Sequence, residues 1–115
     1  MQLGRKKANL NHKLMTPVFI VESVRTPRAR ANENGGLHNL NPYELLDVLY
    51  KDIFKKDFLN LHSIDEVILG CVTQYGEQAG NIAKSSSLFS GYPDSISGLT
   101  INRFCSSSLD AINLG

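Results

Sequence analysis

Short apolar runs alternate with stretches of helical spacing along this chain. Val18-Phe19-Ile20-Val21 is nearly continuous and rich in β-branched residues, which predicts a buried strand. Arg25-Thr26-Pro27 ends it, because proline cannot donate to a central ladder. Residues 28–40, with Arg28, Arg30, Asn32, Asn34 and the Gly35-Gly36 pair, read as a polar loop. Asn41-Pro42-Tyr43-Glu44 is a helix start: Asn41 can cap, Pro42 suits the first helical position, and Glu44 stands at capping-box distance. Leu45, Leu46, Leu49, Ile53 and Phe54 follow at helical spacing, with Asp47, Lys51, Asp52 and Lys55 between them, so one face is packed and the other wet.

The second half repeats the alternation. Val67-Ile68-Leu69-Gly70-Cys71-Val72 predicts another buried strand, and Gln74 to Gly80 a polar loop. Asn81 to Ser90 predicts a helix with Ile82, Ala83, Ser86 and Phe89 on one side, terminated by Gly91 and Pro93. Leu99-Thr100-Ile101-Asn102 is a short third strand. From Ser106 the pattern is helical again, with Leu109, Ile112 and Asn113 along one side and Ala111 beside them. The expected fold class is α/β in the order β-α-β-α-β-α, a parallel sheet covered on both faces. The last helix runs to Gly115 without an exit, as in a fold cut short.

Composition changes this picture little. The 115 residues are 42% hydrophobic and 20% charged, which fits one small globular domain with a modest core. The formal net charge of +1 hides an asymmetry. Four of the twelve basic residues, Arg5, Lys6, Lys7 and Lys13, stand among the first fifteen positions, which hold no acid, so eight face eleven acids in the remainder. No broad basic face for nucleic acid results. Residues 1–16 lack the Ser and Arg enrichment of a transit peptide and the continuous apolar core of a signal. They are expected to be a basic, disordered extension before a domain at 17–115, with Met15 as an alternative start. No apolar run reaches membrane-spanning length. Two cysteines, Cys71 and Cys105, are too few for a disulfide scaffold and are expected to be free thiols in a reducing compartment, the cytoplasm.

The chemistry concentrates in Thr100-Ile101-Asn102-Arg103-Phe104-Cys105-Ser106-Ser107-Ser108-Leu109-Asp110-Ala111-Ile112. This segment sets Cys105 between a strand end and a helix start. A thiolate there faces the positive end of the helix dipole and unpaired N–H groups, which favour the ionised nucleophile. The same N–H groups can stabilise an oxyanion when the sulfur attacks a carbonyl. Position alone also permits a small residue buried at a tight junction, since free cysteine is commonly core. The arrangement is not the G-x-S-x-G hydrolase elbow. Cys71, inside the second strand, reads as an inert core thiol. His12, His38 and His62 read as solvent-exposed, and no cluster has metal-ligand spacing. Arg25, Arg28 and Arg30 read as a solvated loop or subunit contact in preference to a phosphate grip.

The run N-R-F-C-S-S-x-L-x-A-I resembles the active-site segment of the thiolases, the acetyl-CoA acetyltransferase and 3-ketoacyl-CoA thiolase family. Val18 to Pro27, ending in R-T-P, is similar to the family's opening strand. Gly35-Gly36-Leu37-His38 resembles its next loop, and Gly70 to Ala83 resembles its passage from second strand to second helix. The likeness is in register from about Pro17 to Gly115. Ser108 departs mildly, standing where many relatives have glycine. The resemblance implies the first half of a layered N-terminal thiolase domain, with Cys105 as the nucleophile that carries an acyl-thioester intermediate. It implies acyl-CoA and coenzyme A as substrates, no bound cofactor and no metal. It further implies a homo-oligomer, dimer or tetramer, in the full-length family, and a place in fatty acid metabolism.

In that family the thiolate takes an acyl group from 3-ketoacyl-CoA with release of acetyl-CoA, and coenzyme A collects the acyl group; the reverse is a Claisen condensation. The family's G-H-P histidine, its second cysteine in C-x-G and its coenzyme A loops correspond to positions beyond Gly115, so these 115 residues alone are expected to be inactive in thiolase turnover. Two other classes remain open: a ketoacyl-synthase-like condensing enzyme, against which the R-T-P opening argues, and an inactive remnant or pairing module.

Overall fold

The computed structural model describes residues 16–56 and 59–115. The basic extension expected at 1–16 therefore lies, except for Thr16, outside the described residues. Helix α1 spans Pro42–Phe54, α2 Ile82–Phe89 and α3 Ser107–Leu114, while strands β1 (Glu66–Gly70) and β2 (Ser97–Ile101) form a parallel pair. Short 3₁₀ turns at Leu61–Ser63 and Gly76–Gln78 punctuate the connections.

The local signals act as the sequence indicates. Asn41 Oδ1 accepts the Glu44 N–H at 2.9 Å, and Glu44 Oε2 accepts the Asn41 N–H at 2.8 Å, so the capping box closes with Pro42 at the first helical position. Asn81 caps α2 by accepting the Lys84 N–H, and its amide donates to Gly98 O at 2.7 Å. Thr100 Oγ1 accepts the Ala83 N–H and donates to Asn81 Oδ1, which ties the start of α2 directly to β2.

Directly paired residues of a parallel ladder share a face. Val67 pairs with Gly98 and Gly70 with Ile101, so Gly98 and Gly70 lie on opposite faces of the sheet. A Cβ on Gly98 would fall 2.5 Å from Lys84 N, so α2 packs directly against that face. A Cβ on Gly70 would fall 2.4 Å from the backbone of Ser107 and Ser108, so α3 packs against the other. The two missing side chains let helices sandwich a two-stranded sheet at backbone contact. α1 then covers α2, and the core forms around Tyr50, Tyr92 and Ile96, with Leu46, Phe54 and Val67 against it. Tyr50 Oη lies 3.0 Å from Ser86 Oγ, whose own proton is directed at Ala83 O, leaving the phenol as donor. Burial raises both Tyr50 and Tyr92, the Ser86 hydroxyl only partly offsetting it for Tyr50.

Three expectations need correction. The run 18–21 belongs to no strand: Val18, Phe19, Ile20 and Val21 are 86%, 75%, 85% and 62% exposed. The order among the described residues is therefore α-β-α-β-α, with no pairing between 18–21 and 67–72. A β-branched run supplies only a preference; a strand forms when another strand takes up its hydrogen bonds, and here none does. The ladder also ends one residue before Cys71, although the Cys71 N–H still donates to Ile101 O at 2.9 Å. Finally, the helix faces differ in part from those expected. α2 buries Ile82, Ala83 and Ser86 as expected but adds Ser87 and leaves Phe89 exposed against Tyr43, while α3 buries Ser107 and Ala111 and exposes Leu109 and Ile112. Where Gly70 brings α3 to backbone contact only small residues fit beneath the helix, so Leu109 and Ile112 turn outward. The layered α/β class stands.

Candidate active site

β2 releases the chain at Ile101, and five residues carry it into α3. The turn is fixed by two side chains. Asn102 Oδ1 accepts the Phe104 N–H at 2.9 Å, while Asn102 Nδ2 donates to Val72 O at 3.0 Å across the gap from the loop after β1. Ser107 Oγ accepts the Arg103 N–H at 2.9 Å and donates to Phe104 O at 2.6 Å. The Ser107 N–H reaches the same carbonyl at 3.1 Å, and the Ser106 N–H donates to Arg103 O at 3.0 Å.

These bonds enforce an unusual backbone. Phe104 has φ +47°, the only non-glycine residue with positive φ among those described. A bulky residue in the left-handed region costs on the order of 1–3 kcal/mol, and it persists only where its surroundings over-determine it. Here both peptide groups flanking the Phe104 Cα are pinned, its N–H by Asn102 and its C=O by Ser107. The Phe104 side chain gains nothing in return by packing, being 76% exposed. Such strain is characteristic of functional turns.

The turn presents Cys105 as an exposed free thiol just before the first turn of α3. Among the described residues nothing packs it into a buried junction. Ser106 occupies the N-cap position without a side-chain bond of its own, so its hydroxyl does not occupy the helix end as a cap would. The Arg103 guanidinium pairs with Asp110 in the first turn, keeping that cation beside the turn's outer flank. A hollow of about 530 Å³ opens alongside, lined by Thr100, Ile101, Asn102, Arg103, Asp110, Asn113 and Leu114. Among the described residues no imidazole or carboxylate forms a hydrogen bond to Cys105 Sγ.

The other candidates lie elsewhere. Cys71 is buried just past β1, its thiol directed at Gln78 Oε1 (3.4 Å) and Thr73 O (3.7 Å), beside an apolar hollow of about 320 Å³ lined by Leu45, Leu46, Leu69 and Ile82. His38 and His62 are exposed, as are Arg25, Arg28 and Arg30; His12 lies outside the described residues. No group of three potential metal ligands occurs among the described residues, and no described helix is long and apolar enough to cross a membrane. The bracing roles of Asn102 and Ser107 are not apparent from residue types alone. An asparagine two residues before the strained position is an Asx-turn signal that would have found the first; the second needs coordinates.

Comparison with known proteins points to one family. The family model described as the thiolase N-terminal domain matches residues 18–115. The steroid 3-ketoacyl-CoA thiolase of Mycobacterium tuberculosis is 36% identical over 102 residues, covering 89% of this chain and 25% of the relative. A 3-ketoacyl-CoA thiolase of Colwellia psychrerythraea is 42% identical over 100 residues, covering 86% and 26%. Among solved structures, the acetyl-CoA acetyltransferase of Bacillus anthracis superposes with a TM-score of 0.63 at 39% identity, over 70% of this chain and 20% of that one. A thiolase of Ascaris suum, solved in complex with coenzyme A, gives 0.64 at 36%, over 71% and 21%. The chain thus spans about a quarter of the length of these curated relatives.

Proposed function

The chain belongs to the thiolase family, and on that premise we propose that it supplies the acyl-accepting cysteine of an acyl-CoA acyltransferase. Cys105 is the nucleophile. Its thiolate attacks the keto carbonyl of a 3-ketoacyl-CoA, the carbon–carbon bond next to that carbonyl breaks, and the electron pair leaves on the acetyl-CoA carbon, which takes up a proton. The acyl group remains on Cys105 as a thioester until the coenzyme A thiol displaces the cysteine. The reverse sequence joins two acyl units. Coenzyme A is a substrate throughout, not a resident cofactor.

One observation carries the proposal: an exposed thiol on a strained, hydrogen-bonded turn between a strand end and a helix N-terminus. The helix end favours the negative charge of a developing oxyanion. The exposed apolar side chains of Val18 to Val21, Leu109, Ile112 and Leu114 favour burial against further protein, and a homo-oligomeric whole is part of the proposal. A cytoplasmic setting accords with the two free thiols.

The test is single-round acyl transfer. Folded chain is incubated with acetyl-CoA and each cysteine peptide is read by mass spectrometry. One acetyl group on Cys105, absent from Cys105→Ser, is expected; acetylation of Cys71 alone, or of neither cysteine, contradicts the reading.

A further inference from the structure

The peptide that joins Phe104 to Cys105 holds both the carbonyl bound by Ser107 and the N–H of the nucleophile. Because that unit is planar and trans, its C=O and N–H point in opposite directions. Fixing one fixes the other. Ser107 Oγ holds the Phe104 carbonyl at 2.6 Å and, with its other valence, the Arg103 N–H at 2.9 Å. Ser107 is only 2% exposed, so water cannot readily replace either bond. Its place is in turn set by Gly70, against which the Ser107 backbone packs.

We propose that Ser107 is a positioning residue: its hydroxyl locks the left-handed Phe104 turn and thereby aims the Cys105 N–H and thiol at the acyl carbonyl. The inference rests on Cys105 being the acyl acceptor. Without the hydroxyl, the Phe104 carbonyl keeps only the Ser107 N–H, and the Arg103 N–H loses its acceptor. The strained turn then relaxes toward negative φ, and the peptide bearing the Cys105 N–H rotates with it. A helix cap acting on stability alone predicts something different: loss of the hydroxyl would matter equally whatever residue stood at 104.

A double-substitution cycle separates the two. The rate of Cys105 acetylation by acetyl-CoA is measured for the folded chain and for Ser107→Ala, Phe104→Gly and Phe104→Gly/Ser107→Ala, each checked by circular dichroism. Ser107→Ala is expected to slow acetylation about fivefold, the rate equivalent of one neutral hydrogen bond. Glycine adopts the left-handed turn without strain, so in the Phe104→Gly background the same substitution is expected to cost less than about twofold. If Ser107→Ala fails to fold, Ser107→Cys, close to serine in size and only a weak donor and acceptor, carries the comparison and is expected to lose rate with Phe104 present and to keep it in the Phe104→Gly background. An equal rate for the position-107 variant and the unsubstituted chain, or an equal loss in both backgrounds, overturns the positioning role alone. An unsubstituted chain that takes no acetyl group on Cys105 overturns the acyl-acceptor reading, and the positioning role with it.

Discussion

Gly70 lies so close beneath Ser107 that a Cβ built on it would fall 2.4 Å from the Ser107 carbonyl carbon. That distance links the sheet to the turn that carries Cys105, since Ser107 is the residue whose hydroxyl braces Phe104. Gly70→Ala is therefore expected to push α3 away from β1, costing about 1–3 kcal/mol as an overpacked site and loosening the turn as well. Gly98→Ala crowds Lys84 on the opposite face and is expected to cost a similar amount while leaving the Cys105 turn intact. Urea unfolding of both variants, with Cys105 labelling below the transition, distinguishes them. A change in labelling common to both would contradict the link.

The strain at Phe104 has its own signature. Glycine at this position removes the left-handed penalty and sacrifices little packing, because the phenyl ring is mostly exposed. Phe104→Gly is expected to raise stability by about 1 kcal/mol, the balance of relieved strain against glycine's greater unfolded entropy. Thermal unfolding measures it, and a loss of stability would show that the ring contributes more than its exposure implies.

At the other end of the domain, Asn41→Ala removes the Oδ1 that accepts the Glu44 N–H, one half of the capping box at α1, and leaves the backbone N–H that donates to Glu44 Oε2. The expected cost is about 1 kcal/mol, read as a lower urea midpoint with an unchanged slope. Asn41→Ser retains an acceptor for the Glu44 N–H and is expected to recover most of it. Equal losses for the two substitutions would assign the effect to something other than the cap.

Tyrosine burial predicts an alkaline limit. Tyr50 and Tyr92 are held protonated above the usual value of 10.0, chiefly by burial. In the unfolded chain the same phenols ionise first. Their contribution is fully present below about pH 10 and is lost as pH rises toward the folded values. Urea midpoints taken across that range are expected to fall, and Tyr92→Phe to make the fall shallower. A midpoint that holds steady above pH 10, or a slope unchanged by the substitution, would contradict the assignment.

What was legible in the sequence is what short-range chemistry decides. The cap at Asn41, the start of α2 at Asn81 and the placement of Cys105 between strand and helix all follow from neighbouring residues, and each stands in the structure. What depends on distant partners was not legible. Val18 to Val21 have a strand's composition but no ladder partner among the described residues, and composition does not reveal that. Periodicity found Ile82, Ala83 and Ser86 on the buried side of α2 but favoured Phe89, Leu109 and Ile112, where the structure buries Ser87, Ser107 and Ala111 because Gly98 and Gly70 bring backbones into contact. Phe104 gives no warning of a left-handed turn, since phenylalanine is a poor candidate for positive φ. Its conformation is imposed by Asn102 and Ser107 from either side.

The central claim is that the fold activates Cys105 and does not merely expose it. Exposure alone cannot make a thiol react faster in the folded chain than in the unfolded one, where every thiol is open to reagent. Site-resolved iodoacetamide labelling of the chain, folded and in urea, gives for each cysteine the ratio of folded to unfolded rate. A ratio above one for Cys105, from the helix end and the aimed turn, and a ratio far below one for the buried Cys71 are the predicted results. A Cys105 ratio at or below one, or a Cys71 that reacts first in the folded chain, would contradict the account.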